Sequence, residues 1–242
     1  MKKFGTLILL FSLALVACGS NNPLERLKKE LGKHPEYSII LEDMREDGNF
    51  FKDYFHRYKL VYAKKGAGTD SLVYNNEVTD WYEVEKKFYT DYSNYLGMVI
   101  ASKSPNGKVD NSKYPPGYQY VGNQNYGNWR TDNRGNSFWE WYGKYALFSS
   151  MFGMFNRPVY QNDWNGYRDY RNNYGNGGGA YYGRGNAYGT NGSHTKKTKP
   201  NFYQRKATKE RARKSSFSDR VKQRTRRSNM SSVRSRSRGS GK

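Results

Sequence analysis

Cysteine is nearly absent from this sequence, because Cys18 is the only one among 242 residues. A lone cysteine excludes an intramolecular disulfide and leaves no cluster of thiolates for a structural metal site. The three histidines, His34, His56 and His194, lie in separate parts of the chain, and no two have the spacing of metal ligands. We therefore expect no metal, no cofactor and no disulfide framework.

Catalytic motifs are also missing. The sequence has no Gly-x-Ser-x-Gly nucleophile turn, and the glycines and lysines of residues 64–70 lack the Gly-Lys-Ser/Thr order of a phosphate loop. Residues 42–47 contain four carboxylates, which we expect to be solvated charges beside a turn. No catalytic residue is predicted, and the sequence disfavours an enzyme.

Apolar residues are scarce as well, at 35% of the chain, whereas 17% of residues are aromatic and 25 are glycine. This is too little for one core that spans the whole chain. We therefore expect an α+β fold: a small N-terminal domain with a β-hairpin or sheet and packed helices, followed by an apolar helix and a long disordered basic C-terminal tail.

Residues 1–18 have the pattern of an export signal. Lys2 and Lys3 precede an apolar run over residues 4–17, which has the length of a signal peptide rather than of a bilayer span. Its end, Leu15-Val16-Ala17-Cys18, resembles the lipobox of bacterial lipoproteins. The alternative is a plain signal peptide cut after a small residue, with Cys18 an ordinary cysteine.

The lipobox resemblance implies that residues 1–17 are removed and that Cys18 carries diacylglycerol and an acyl chain such as palmitate. Residues 18–22 would then be a lipidated tether to the membrane. The layout of the chain is loosely similar to Gram-negative envelope lipoproteins, and Gly19 is not the aspartate that marks inner-membrane retention. The resemblance therefore implies a cell-envelope protein anchored in the outer membrane and facing the periplasm.

Residues 23–104 are predicted to form the small α+β domain. Asn22 and Pro23 are typical of a helix start, and leucines recur on one face of the helix that follows. An apolar run at residues 37–44 and an alternating segment at residues 54–63 predict a β-hairpin. Apolar residues from Val84 to Val99 recur at helical spacing, although residues 96–101 also suit a strand.

Residues 105–136 are predicted to be a linker or an irregular aromatic arm, and residues 137–155 an apolar helix. Ser137 and Glu140 match a capping box. Two locations of this helix are predicted with equal weight. It lies either at the membrane interface or on a partner protein, or it is buried in the core of the small domain. Its proposed interface residues are Phe138, Trp139, Trp141, Tyr142, Tyr145, Phe148 and Phe152.

The C-terminal third is predicted to be disordered. Residues 156–194 are rich in Gly, Asn and Tyr, and residues 195–242 carry 18 Lys or Arg but only 2 acids. We expect this basic tail to bind an anionic surface. The candidate residues are Arg205, Lys206, Lys209, Arg211, Arg213, Lys214, Arg220, Lys222, Arg224, Arg226, Arg227, Arg234, Arg236 and Arg238.

Three functions compete on these grounds. The first is a non-enzymatic, lipid-anchored envelope protein whose tail binds anionic lipid or an acidic envelope polymer. The second is an assembly factor that recruits an envelope protein, with the tail as an accessory. The third is binding of extracellular nucleic acid, which the export signal disfavours because most nucleic acid lies on the other side of the membrane.

Overall fold

The computed structural model describes residues 22–48, 51–66, 71–154, 157–174 and 179–236, with side chains as far as residue 225. These residues form an α+β fold, as predicted. The helices are α1 (Pro23–Leu31), α2 (Lys86–Tyr92), α3 (Leu147–Met151), α4 (Gln161–Tyr174), α5 (Ser193–Thr198) and α6 (Pro200–Arg236). The strands are β1 (Tyr37–Asp47), β2 (Asp53–Lys65), β3 (Leu72–Val78), β4 (Tyr82–Val84), β5 (Val99–Lys103), β6 (Val109–Asp110), β7 (Gly127–Thr131) and β8 (Ser137–Trp141).

An antiparallel sheet of six strands organises the molecule. Its order is β3-β2-β1-β5-β6, and β4 pairs with the far end of β2. The predicted hairpin is confirmed as β1 and β2, whose register pairs Tyr37 with Tyr62 and Met44 with His56. An irregularity between Leu41 and Asp43 adds one residue to β1, and such bulges redirect the side chains that follow.

One surface of the sheet, which we call the helix face, is covered by α1, α2 and the first turn of α6. The predicted start of α1 is confirmed, because the Asn22 side chain accepts hydrogen bonds from the backbone N–H groups of Leu24 and Glu25. The buried residues of this face are Leu24, Leu27, Leu31, Tyr37, Ile39, Leu41, Met44, Tyr58, Leu60, Leu96, Ile100, Ala101 and Phe202.

The opposite surface, which we call the tyrosine face, is covered by residues 114–126, the β7–β8 hairpin, α3 and α4. Ile40, Val61 and Val99 project into this cluster from the sheet, and six of its buried residues are tyrosines. The central strands of the sheet are therefore buried on both faces, whereas the edge strand β3 has no buried residue. Residues 105–136, predicted as a linker or arm, and much of residues 156–194, predicted to be disordered, contribute to this second layer.

The prediction of an apolar helix over residues 137–155 is wrong. Residues 137–141 form β8, a 3-10 turn follows at residues 143–145, and only Leu147–Met151 is α-helical. The reason is cross-strand pairing: Trp139 lies opposite Trp129, and Glu140 forms an ion pair with Arg130. Gly135, at φ +82°, lies in the turn between the two strands. The β-propensity of alternating aromatic residues outweighs the capping box.

Two further expectations differ from the structure. The helical spacing from Val84 to Val99 gives only the short α2, and the strand alternative for residues 96–101 is realised in part as β5. The basic tail, predicted to be disordered, is the 37-residue α6 as far as residue 236. Arginine, lysine, alanine and glutamine are good helix formers, and this propensity favours a helix despite the repulsion among the tail's charges.

Candidate functional site

The predicted lipid attachment site, Cys18, and the signal peptide over residues 1–17 lie outside the described residues. The same holds for Arg238 and for the side chains of Arg226, Arg227, Arg234 and Arg236. The remaining predicted cations all lie on α6. Within the described chain, no helix is both long enough and apolar enough to cross a bilayer.

The predicted interface aromatics belong to the tyrosine face instead. Trp139, Phe148 and Phe152 are buried in its cluster, and Phe148 packs between Tyr145 and further rings. Phe138 and Trp141 are half-buried on β8, whereas Tyr142 is exposed. Of the two predicted locations, burial in the folded domain is the one that Trp139, Phe148 and Phe152 occupy.

The first turns of α6 are fixed to the sheet by apolar and polar contacts. Phe202 is buried in the helix-face cluster, and the Tyr203 hydroxyl donates a hydrogen bond to the carbonyl of Thr190 at 2.5 Å. Pro200 opens the helix, where its missing N–H costs nothing. The root of the helix therefore has a defined position on the domain.

An acidic segment of β1 receives the basic residues of this root. Lys199 pairs with Glu42, Arg205 with Asp43 at 2.5 Å, and Lys209 donates to the carbonyl of Glu46 at 3.0 Å. Glu42 and Asp43 are adjacent residues at the bulge in β1, and both are engaged by the C-terminal segment. These carboxylates, predicted to be solvated charges, instead dock the helix.

Glu46 reflects this electrostatic environment. Partial burial acts to raise the pKa of its carboxyl, but Lys52 and Lys209 outweigh burial and hold the pKa below its ordinary value. The sequence contained one signal for this docking, which was the opposite charge of two distant segments. Charge complementarity alone does not specify a contact, so these acids were missed.

Beyond Lys209 the helix leaves the domain. Every described side chain from residue 210 to residue 225 is exposed, and no ion pair joins these residues to the rest of the described chain. The exposed cations of this free segment are Arg211, Arg213, Lys214, Arg220, Lys222 and Arg224. Lys206, just before it, is exposed as well.

Three of these cations share one side of the helix with an aromatic ring. Arg213, Phe217, Arg220 and Arg224 are spaced i, i+4, i+7 and i+11, which places them on one face. The Phe217 side chain is 65% exposed, and Val221 beside it is 45% exposed. The free segment thus has a cationic face with apolar side chains among the charges.

Charge repulsion is built into this face. Arg220 and Arg224 are four residues apart with like charge, a spacing that destabilises an isolated helix. The hydroxyls of Ser215, Ser216 and Thr225 donate hydrogen bonds back to the helix backbone and take no part in neutralising the charge. An anionic surface laid along the helix would relieve the repulsion.

The rest of the described chain contains no competing metal centre, since no three His, Cys, Asp or Glu side chains there could hold a metal ion together. No protein-family model, curated protein or solved structure matches the chain. The free, cationic part of α6 is therefore the candidate site that the geometry itself indicates.

Proposed function

We propose that this protein is a non-enzymatic, lipid-anchored protein of the cell envelope whose free α6 segment binds an anionic membrane surface. The observation that carries the proposal is the segment itself: its cations extend from the domain, are exposed and form no ion pair with the described side chains. Near an anionic bilayer each such residue contributes about 1 kcal/mol of attraction.

The position of the helix root supports this arrangement. Leu24, Leu27 and Leu31 of α1 lie in the same cluster as Phe202 of α6, so both helices pack on the helix face. Cys18 is four residues from Asn22, a separation of at most about 14 Å in extended chain. A lipid on Cys18 would bring the membrane to the side of the domain on which α6 begins.

Phe217 and Val221 favour a membrane over a soluble acidic polymer. Amphipathic helices at a bilayer interface combine basic residues with a few apolar side chains that enter the headgroup region. A polymer in solution would use the cations but would gain little from an exposed phenylalanine. Dependence of binding on Phe217 therefore separates the two kinds of partner.

The test is co-sedimentation with vesicles that contain phosphatidylglycerol, using the chain from residue 19 onward so that no lipid anchor contributes. Replacing Arg213, Arg220 and Arg224 by glutamine should weaken binding about 100-fold, because about 3 kcal/mol of attraction is lost. Binding of the unmodified chain should fall as salt rises, since the Debye length shrinks to about 3 Å at 1 M.

The matched control replaces Lys108, Arg134 and Lys144, three exposed cations on the tyrosine-face side of the domain, by glutamine. It has the same net charge as the α6 variant and should retain most of the binding. Equal losses in the two variants would show that only net charge matters and would contradict the proposal. A Phe217→Ser variant with unchanged vesicle binding would favour a soluble polymer instead.

The anchor has a separate test. Growth with a labelled fatty acid should label the chain and should not label a Cys18→Ala variant, and fractionation of the same cells should recover the labelled chain with the outer membrane. An unlabelled chain would overturn the proposed lipid anchor. It would not bear on vesicle binding by α6, which the co-sedimentation experiment tests separately.

A further inference from the structure

A cleft of about 310 Å³ lies between the β5–β6 edge of the sheet and α4. Its size is at the lower end for small-molecule sites, which combine aromatic walls with a few convergent polar groups. It lies on the tyrosine face and shares none of its lining with α6. Whatever it binds is independent of the function proposed above.

Glu36 lines this cleft and is only 1% exposed. Tyr74 donates a hydrogen bond to Oε1, but Oε2 has no hydrogen-bond partner. Burial raises the pKa of this carboxyl, and the nearby hydroxyls of Tyr74, Tyr120 and Tyr126 offset part of the rise. A buried carboxyl oxygen without a partner is costly, so its presence beside a cleft points to a group that arrives with a ligand.

The surroundings of Glu36 are held in place by a chain of polar contacts. Gln119 donates to the Ser38 hydroxyl at 2.7 Å and accepts a hydrogen bond from Tyr114 at 2.8 Å. Tyr114 is in turn hydrogen-bonded to Ser102 at 2.7 Å. These groups satisfy one another, so they are preorganised and leave Glu36 Oε2 as the unpaired acceptor of this group.

The mouth of the cleft is positively charged. Arg171 pairs with Asp110, whereas Lys108 and Arg168 are exposed and form no ion pair within the described chain. The Arg168 guanidinium lies over the Trp164 ring at 5.1 Å. This mouth repels amines and attracts a ligand with a negative group.

A hydroxyl is the ligand group that best suits Glu36, which we call the floor of the cleft. It donates to an ionised carboxyl and accepts from a protonated one, so it satisfies Glu36 in either state. The tyrosine rings and Trp164 in the walls offer apolar surfaces to the C–H faces of a ring. Trp164 can approach the chain closely because residue 122 is glycine, where a Cβ would meet the indole at 2.3 Å.

We propose that this cleft binds an acidic sugar, with a ring hydroxyl on Glu36 Oε2, the sugar face against the aromatic walls and the anionic group at Arg168 and Lys108. The cleft requires a ligand that carries both a ring hydroxyl and an anionic group. A neutral sugar lacks the group for the mouth, and a simple dicarboxylate lacks the hydroxyls for the floor.

Isothermal titration calorimetry of the full chain in detergent micelles tests this proposal with glucuronate, glucose and succinate as probes. Glucuronate should bind at least tenfold more tightly than the other two. Arg168→Gln should weaken glucuronate binding about tenfold through loss of a charge-assisted hydrogen bond, and it should leave glucose binding unchanged. The matched control is Arg134→Gln, an exposed arginine in the β7–β8 turn, which should change neither.

Glu36→Leu removes both carboxyl oxygens and should weaken glucuronate and glucose binding by similar factors, provided that its melting transition shows a folded chain. Arg168 lies on the surface, so its variant remains informative if Glu36→Leu does not fold. Succinate binding equal to glucuronate, or no heat from glucuronate up to about 10 mM, would overturn the proposal.

Discussion

Two buried titratable residues, one on each face of the sheet, have opposite surroundings. On the helix face, His56 is fully buried among aromatic rings, and Nε2 has no hydrogen-bond partner. On the tyrosine face, Asp163 is buried and accepts hydrogen bonds from the Tyr118 hydroxyl, from the Tyr181 hydroxyl at 2.6 Å and from the backbone N–H of Arg184 at 2.9 Å. One face leaves a titratable group neutral, whereas the other surrounds a carboxylate with donors.

The difference shows how a chain with few aliphatic residues can cover both sides of a sheet. Each tyrosine of the second layer contributes an apolar ring to the cluster, and many contribute a hydroxyl to a hydrogen-bond network. Hydroxyls of this network donate to Asp163, which aliphatic side chains would leave without those donors. Low hydropathy in residues 105–194 therefore coexists with a packed core.

The largest effect is expected from Phe148→Ala, which tests whether the tyrosine face is a true core. Phe148 is 1% exposed, and its loss should lower the free energy of unfolding by about 3–5 kcal/mol. Urea unfolding measures this. Leu147→Ala, at a neighbouring side chain that is 64% exposed, is the control and should cost less than about 0.5 kcal/mol. Similar small losses in both variants would mean that the second layer adds no stability.

An intermediate loss of stability is expected when the pH is lowered, because His56 is buried on the helix face. Burial lowers the pKa of His56 to about 3, from about 6.5 in the unfolded chain. The unfolded state therefore binds more protons between these values, and stability falls as the pH drops below about 6.5. Unfolding free energies at about pH 6.5 and pH 5 should differ by about 2 kcal/mol.

The control for this pH dependence is His56→Phe, which keeps an aromatic ring at the site and cannot titrate. Burial also lowers the pKa values of His34 and His194, so a smaller slope should persist in the variant. The same slope in both chains would show that His56 is not the source.

The smallest effect is expected where α6 joins the helix face. Replacing Arg205 and Lys209 by glutamine removes two partly exposed ion pairs and should cost about 1 kcal/mol in total. The loss should disappear at high salt, which screens the same pairs in the unmodified chain. The control replaces Arg213 and Arg220 in the free segment, and it should leave the free energy of unfolding unchanged.

The local sequence pattern and the tertiary environment agree at the start of the chain. Asn22 and Pro23 begin α1, and the alternating residues 54–63 form β2, because capping and period-two burial are local rules. Pattern and structure disagree at Ser137 and Glu140, where a valid capping pattern lies within a strand. There, pairing with β7 and burial of Trp139 decide the outcome, and neither is visible in a short window of sequence.

The candidate site divides in the same way. The basic composition of the C-terminal segment already indicated an anionic partner, and its residues alone fix the spacing that groups Arg213, Arg220 and Arg224 once a helix is assumed. The sequence does not show which of the cations on α6 pair with the domain and which remain exposed. Arg205 and Lys209 differ from the exposed cations only through their contacts with β1, about 160 residues earlier in the chain.

The sequence by itself therefore determined the first helix, the hairpin, the charge of the C-terminal segment and the pattern that ends at Cys18. Only the tertiary structure decided that the aromatic residues after residue 105 close the second side of the sheet, and that Glu36 is left beside a cleft with an unpaired oxygen. The physical reason is that local propensity and charge act between near neighbours, whereas burial and hydrogen-bond satisfaction depend on residues that only folding brings together.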